Sequence, residues 1–159
     1  MDLIIRKANI DDMERVHELI LELAIFEREP DAVEVSVNDL KTAGFKSQKQ
    51  MTCFVAEVGG KVEGIALVYD RFSTWKGRVV HLEDLIVNIN MRGKGLGTKL
   101  LDAVVLYAKE EGVKRVSWEV LDWNEPAIAF YESKGANVMR DWHVVQLNEQ
   151  GIESYISNL

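Results

Sequence analysis

The sequence predicts an α/β (α+β) domain built on one mixed, mostly antiparallel central sheet with helices on both faces. Three observations carry that prediction. Strand-length apolar stretches alternate with amphipathic helical ones. Two adjacent strands are joined by only Gly59-Gly60, which demands an antiparallel hairpin. Later strands are separated by helix-length segments suited to crossovers. A chain of 159 residues is expected to form a single domain, 1–159, with a substantial core.

The elements follow in order. "LIIRKA" (3–8) reads as a first strand. After Asp11 and Asp12, the spacing of Met13, Val16, Ile20, Leu23 and Phe26 predicts a helix stopped by Pro30. "SVND" (36–39) resembles a capping box and opens a second, short helix. "MTCFVAEVGGKVEGIALVYD" is the strand–turn–strand hairpin, and "RVVHLEDLIVN" (78–88) a further strand. "TKLLDAVVLYAKEEG" (98–112) is a helix with Leu100, Leu101, Val104, Val105 and Ala108 inward and Gly112 at its C-terminus. "KRVSWEVL" (114–121) reads as a strand. "NEPAIAFYESKG" is a short helix with Pro126 in its first turn and Gly135 after its end. "WHVVQLN" (142–148) reads as a last strand before a polar tail.

Composition narrows the function. The apolar and charged fractions, 47% and 28%, are those of ordinary globular proteins. No apolar run reaches the roughly 18 residues of a membrane span, and the N-terminal "MDLIIRKAN" has no cleavage-site pattern, so a cytoplasmic protein with no membrane association is expected. A single cysteine, Cys53, excludes an internal disulfide and a cysteine-based metal cluster. The net charge of −7 argues against nucleic acid as a partner and permits a cationic small substrate.

The stretch richest in chemistry is "NINMRGKGLGTKLL" (88–101), with glycines at 93, 95 and 97 where a strand becomes a helix. Such a turn presents unpaired N–H groups and the positive end of the helix dipole to an anion. Glycine permits conformations a side chain would forbid, and Arg92 and Lys94 add charge. The spacing is neither that of a P-loop nor that of a dinucleotide fold. A pyrophosphate is the natural guest.

"MRGKGLGTKLL" resembles the acetyl-CoA pyrophosphate loop of the GNAT N-acetyltransferase superfamily, Arg/Gln-x-x-Gly-x-Gly/Ala, with Arg92, Gly95 and Gly97 in its three defining positions. "VLDWNEPAIAFYESKGA" (120–136) is similar to the family's second signature. Within the family, "ELAIFE", "DLKTAGF", "TWKG", "HLEDLIV" and "DWNEPAIAFYESKGA" resemble the spermidine/spermine (diamine) acetyltransferase branch. One departure is "YDRFSTW" (69–75), whose acid stands several residues before Trp75.

The resemblance implies the GNAT acyl-CoA N-acyltransferase fold, acetyl-CoA as acetyl donor, and a homodimer. It implies a CoA cradle from Arg92, Gly93, Lys94, Gly95, Leu96, Gly97 and Thr98, with the backbone of Ile86 and Val87 along the pantetheine arm and Asn124 on the cofactor. Asn124 also suits a helix N-cap, and the two roles are compatible. Tyr131 is the implied general acid near the CoA sulfur. Of the neighbours Phe130 and Tyr131 one must turn from the helix-core stripe, and Tyr131 is expected to do so.

An alkyl ammonium with a pKa near ~10.4 must lose a proton before it attacks, and Glu83 is the candidate base. Simple alternation sets His81, Glu83, Leu85 and Val87 on one strand face and Leu82, Asp84 and Ile86 on the other. Glu83 and Asp84 share a cleft only if a bulge intervenes, and the family is known for one there. By its charge Asp84 suits a distal ammonium, and a solvated strand-edge residue explains it equally well; by resemblance to the diamine branch Glu27, Trp75 and Trp142 wall the amine site, and ordinary packing explains these three equally well. Cys53 reads as a small core hydrophobe, and the three histidines show no metal-ligand spacing, so no metal is expected.

The leading reading is therefore acetyl transfer to a small cationic amine, a polyamine, diamine or lysine-like amino acid, by direct attack in a ternary complex. A protein amine as acceptor, or a non-catalytic CoA-binding sensor, are the alternatives.

Overall fold

The structure, a computed structural model, describes residues Met1–Leu159. They form two compact units, Met1–Glu119 and Val120–Leu159.

The first unit holds a five-stranded sheet in the order β1 (Leu3–Lys7), β2 (Thr52–Val58), β3 (Lys61–Ser73), β4 (Gly77–Val87), β5 (Val116–Ser117). All neighbours are antiparallel except β4 and β5, which run parallel. Helices α1 (Met13–Phe26) and α2 (Val37–Phe45) precede β2, and α3 (Leu96–Glu110) makes the crossover from β4 to β5. This is the mixed, mostly antiparallel sheet that the sequence predicts. Met13, Val16 and Leu19 of α1 and Leu40 of α2 cluster with Cys53, Val55, Ile65, Leu67 and Ile86 on one sheet face. Gly64, of opposite parity, faces Leu100 of α3: a β-carbon there would stand 3.1 Å from it. The helices therefore cover both faces.

Local signals operate as read. Gly59 and Gly60 take φ of 56° and 81° in the β2–β3 turn. Ser36 and Asp39 exchange the reciprocal bonds of a capping box, Asp39 N–H to Ser36 Oγ at 3.1 Å and Ser36 N–H to Asp39 Oδ2 at 2.8 Å. Cys53 is buried in the core.

Several boundaries move. α1 stops at Phe26, ahead of Pro30, because Arg28 turns to φ 66° and the Glu29 N–H bonds back to the Ala24 carbonyl. α3 begins at Leu96, not Thr98. The strand read over 114–121 shrinks to Val116–Ser117, because β4 offers it partners only at Val80 and His81.

In the second unit α4 (Glu125–Ser133) begins at Asn124, whose side-chain oxygen accepts the Ala127 N–H at 3.4 Å, and ends at Gly135, φ 86°. Trp142–Asn148 is not a strand. Its alternating pattern suits one, but its backbone joins no ladder, and Val145 remains 89% exposed. The tail read as polar is a helix, α5 (Glu149–Ile156), capped by the Asn148 side chain, which accepts the Gly151 N–H at 2.8 Å. No helix is long and apolar enough to cross a membrane.

Candidate active site

The chemistry of the first unit gathers where β4 parts from β5. The two strands pair at Val80↔Val116 and His81↔Ser117 only, while β4 continues to Val87. Beyond His81 the β4 backbone has no strand on that side, which leaves its N–H and C=O groups available to an extended ligand.

β4 also carries a bulge. Leu67 pairs with Asp84 and Val68 with Leu82, leaving Glu83 as the extra residue. The simple alternation is thereby overturned. His81 lies opposite Tyr69, Asp84 opposite Leu67 and Ile86 opposite Ile65, so these three share the face toward α1. Leu82 and Leu85, opposite Val68 and Ala66, point to the other face. Glu83 is exposed and reaches back to His81, Oε2 to Nε2 at 3.7 Å.

Asp84 is half-buried, and burial, with the charges of Glu83 and Glu27, raises its carboxyl to about 6. Glu27, the residue after α1, is exposed overall, yet partial burial raises its carboxyl too. Three of the predicted carboxylates thus lie within electrostatic reach of one another. Buried His81 is held below the usual imidazole range, chiefly by desolvation.

The glycine turn adjoins the end of β4. Gly93 and Gly95 adopt φ of 75° and 86°, and Gly95 is the residue from which α3 starts, with no side chain capping the first turn. A β-carbon at either would meet no atom within 4 Å, so both border open space rather than packed protein. Gly97 differs from expectation: it is helical, and a β-carbon there would rest 3.8 Å from Val87. Leu96 contributes backbone only, since its side chain is in the core, and Thr98 is half-buried in the first turn. Arg92 donates from Nε to the Val87 carbonyl at 3.2 Å and stacks 5.1 Å over the Phe26 ring; Lys94 is exposed. Uncapped N–H groups, two cations and two left-handed glycines suit a pyrophosphate.

The turn is anchored by residues the sequence reading missed. Glu63 is the extra residue of a second bulge, between Ala56↔Gly64 and Glu57↔Val62. Its backbone oxygen accepts the Asn88 N–H at 2.8 Å and its carboxylate accepts from Asn88 Nδ2 at 2.6 Å, with Arg15 at 3.7 Å. An Asn directly before a glycine-rich turn was the available signal.

Trp75 stands apart from the carboxylates. It is 77% exposed at the tip of the β3–β4 ribbon. That tip lies beyond the Ser73↔Gly77 pair, roughly 20 Å along the strands from Asp84. In the second unit Tyr131 is the buried aromatic of α4 and Phe130 is half-buried; the rings lie 5.3 Å apart. Trp142 is exposed there. No group of three His, Cys, Asp or Glu is arranged to hold a metal ion.

Comparison with known proteins gives these features a family. The model of the Acetyltransferase (GNAT) family matches residues 13–136. A thialysine N-epsilon-acetyltransferase of Bos taurus is 36% identical over 150 residues, covering 87% of this chain and 88% of that protein. A Homo sapiens spermidine/spermine N(1)-acetyltransferase-like protein 1 is 31% identical over 92% of this chain and 22% of its own length. Among solved structures, a V. cholerae integron cassette protein superposes with a TM-score of 0.79 at 23% identity over 98% of both chains. AAC(6')-Iy, solved in complex with a bisubstrate analog of CoA, gives 0.76 at 18% identity over 94% of this chain and 99% of its own. Similarity at those identities establishes the fold. The chain belongs to the GNAT acetyltransferase family, with relatives in its diamine acetyltransferase branch, and is an enzyme of acetyl transfer to amines.

Proposed function

We propose that this enzyme moves the acetyl group of acetyl-CoA to a primary amine of a small cation, a lysine-like amino acid, diamine or polyamine, by direct attack in a ternary complex. The observation that carries the substrate class is the cluster of Glu27, Glu83 and Asp84, with Asp84 half-buried and raised to about 6. A second ammonium on the substrate would neutralise charge that the fold otherwise keeps at a cost.

Acetyl-CoA supplies an acetyl thioester. The residues that would hold it are Arg92, Gly93, Lys94, Gly95 and the N–H groups of Leu96, Gly97 and Thr98 for the pyrophosphate, the backbone of Ile86 and Val87 for the pantetheine arm, and Asn124. Glu83 takes the proton of the substrate ammonium. The freed amine attacks the acetyl carbonyl carbon, toward whose oxygen a β4 backbone N–H donates. The carbon–sulfur bond breaks, Tyr131 delivers its phenolic proton to the departing sulfur, and the second proton that the nitrogen sheds as the amide forms restores the phenol. All these roles lie in one catalytic domain, at work as a cytoplasmic homodimer.

The test is CoA-thiol release against thialysine, lysine, putrescine, spermidine, spermine and a basic peptide. One small cation should turn over fastest, and Tyr131→Phe and Glu83→Gln should each lower kcat about 10²-fold or more with CoA binding retained. Preference for the peptide would transfer the activity to protein amines. Tight CoA binding without turnover of any acceptor would make the protein a sensor.

A further inference from the structure

Tyr69, His81 and Ser117 are direct cross-strand neighbours on β3, β4 and β5. They form the last complete row before β4 and β5 part, and the bulged Glu83 is the first polar side chain past it. His81 is 5% exposed. Its Nδ1 lies 2.9 Å from Ser117 Oγ, its ring centroid 5.2 Å from that of Tyr69, and its Nε2 3.7 Å from Glu83 Oε2. A buried imidazole bonded on one side and aimed at an exposed carboxylate on the other exceeds what packing requires.

The tautomer follows from the partners. An ionised carboxylate only accepts, so the proton that faces Glu83 belongs on Nε2. In the neutral ring Nδ1 is then an acceptor, and Ser117 must donate its O–H to it. The charged groups acting on the ring are Glu83 on β4, Arg71 on β3 and Glu119 just past β5. Glu83 and Glu27 act in turn on the adjoining carboxyl of Asp84. Desolvation outweighs the two carboxylates and keeps His81 below the usual imidazole range, hence neutral at pH 7.

We propose that His81, fixed by Ser117, is the positioning residue for Glu83: its Nε2–H holds the bulged carboxylate in the one rotamer that meets the substrate ammonium. This rests on Glu83 as the base. The present 3.7 Å exceeds a direct hydrogen bond, and a small rotation of the exposed Glu83 side chain closes it. Without His81 the carboxylate would sample open solvent beside Asp84, whose charge repels it.

The experiment is a mutant cycle in the full-length enzyme, measuring kcat and amine KM for thialysine and spermidine at saturating acetyl-CoA. His81→Leu preserves apolar packing and removes the donor; His81→Gln keeps an N–H at the Nε2 position. His81→Leu should lower kcat about tenfold with amine KM changed less than about twofold, and His81→Gln should recover most of it. In a Glu83→Gln background His81→Leu should cost nothing further, since residues that act as a unit are not additive. Wild-type kcat in His81→Leu, or a full additional loss on top of Glu83→Gln, overturns the proposal while leaving Glu83 as the base. Wild-type kcat in Glu83→Gln instead overturns the base assignment and the proposal with it. A readout that needs no variant is the ring ¹⁵N signature of the wild-type protein at pH 7: an Nε2–H tautomer is expected, and an Nδ1–H tautomer rejects the geometry.

Discussion

At Asp84, burial and the charges of Glu83 and Glu27 lift the carboxyl to about 6, from about 3.9 in an unfolded chain. The folded protein therefore holds a proton that the unfolded chain releases between those values. Stability from this group is full below about pH 4 and is lost as pH rises through 6. Asp84→Asn removes the loss, so urea denaturation should find the variant more stable by roughly 2–3 kcal/mol at pH 8 and little changed at pH 4. The same variant should raise KM for a diamine, since it deletes the charge that a second ammonium meets. Equal stability gains at both pH values would dismiss the electrostatic account. At this scale the sequence singled out Glu27, Glu83 and Asp84 one by one but could not group them. Simple alternation sets His81 on Glu83's face and away from Asp84, and only the bulge brings His81, Asp84 and Ile86 to one side.

Among the elements, each bulge places one acid. On β3 the extra residue is Glu63, which anchors Asn88 at the entrance of the glycine turn; on β4 it is Glu83 beside the strand split. Two-residue periodicity cannot reveal an insertion of one, because a bulge is defined by the partner strand's register. The turn itself was readable, because left-handed backbone is a local demand that glycine meets. Gly95→Ala would force a β-carbon into φ 86° at the start of α3. The expected outcome is a strain of about 1–2 kcal/mol and a KM for acetyl-CoA raised about tenfold, with kcat for the amine nearly unchanged. Isothermal titration with CoA would check it, and wild-type affinity would remove the turn from the cofactor site.

Over the whole molecule, a net charge of −7 favours encounter with polycations, and that attraction is screened by salt. KM for spermine should climb more steeply with added NaCl between about 0.05 and 0.3 M than KM for thialysine, because spermine carries more positive charge. Identical slopes would confine recognition to short-range contacts. From the sequence alone came the type and order of nearly all elements, the hairpin turn, the helix caps, the glycine turn and the family. Each is set by residues within a few positions of one another. The tertiary structure decided which strand positions find a partner. It shortened β5 to Val116–Ser117, left Trp142–Asn148 outside any ladder, buried Tyr131 more deeply than Phe130, carried Trp75 away from the carboxylates and drew His81 between Ser117 and Glu83. Pairing and burial are properties of neighbours far apart in the chain, and no local pattern records them.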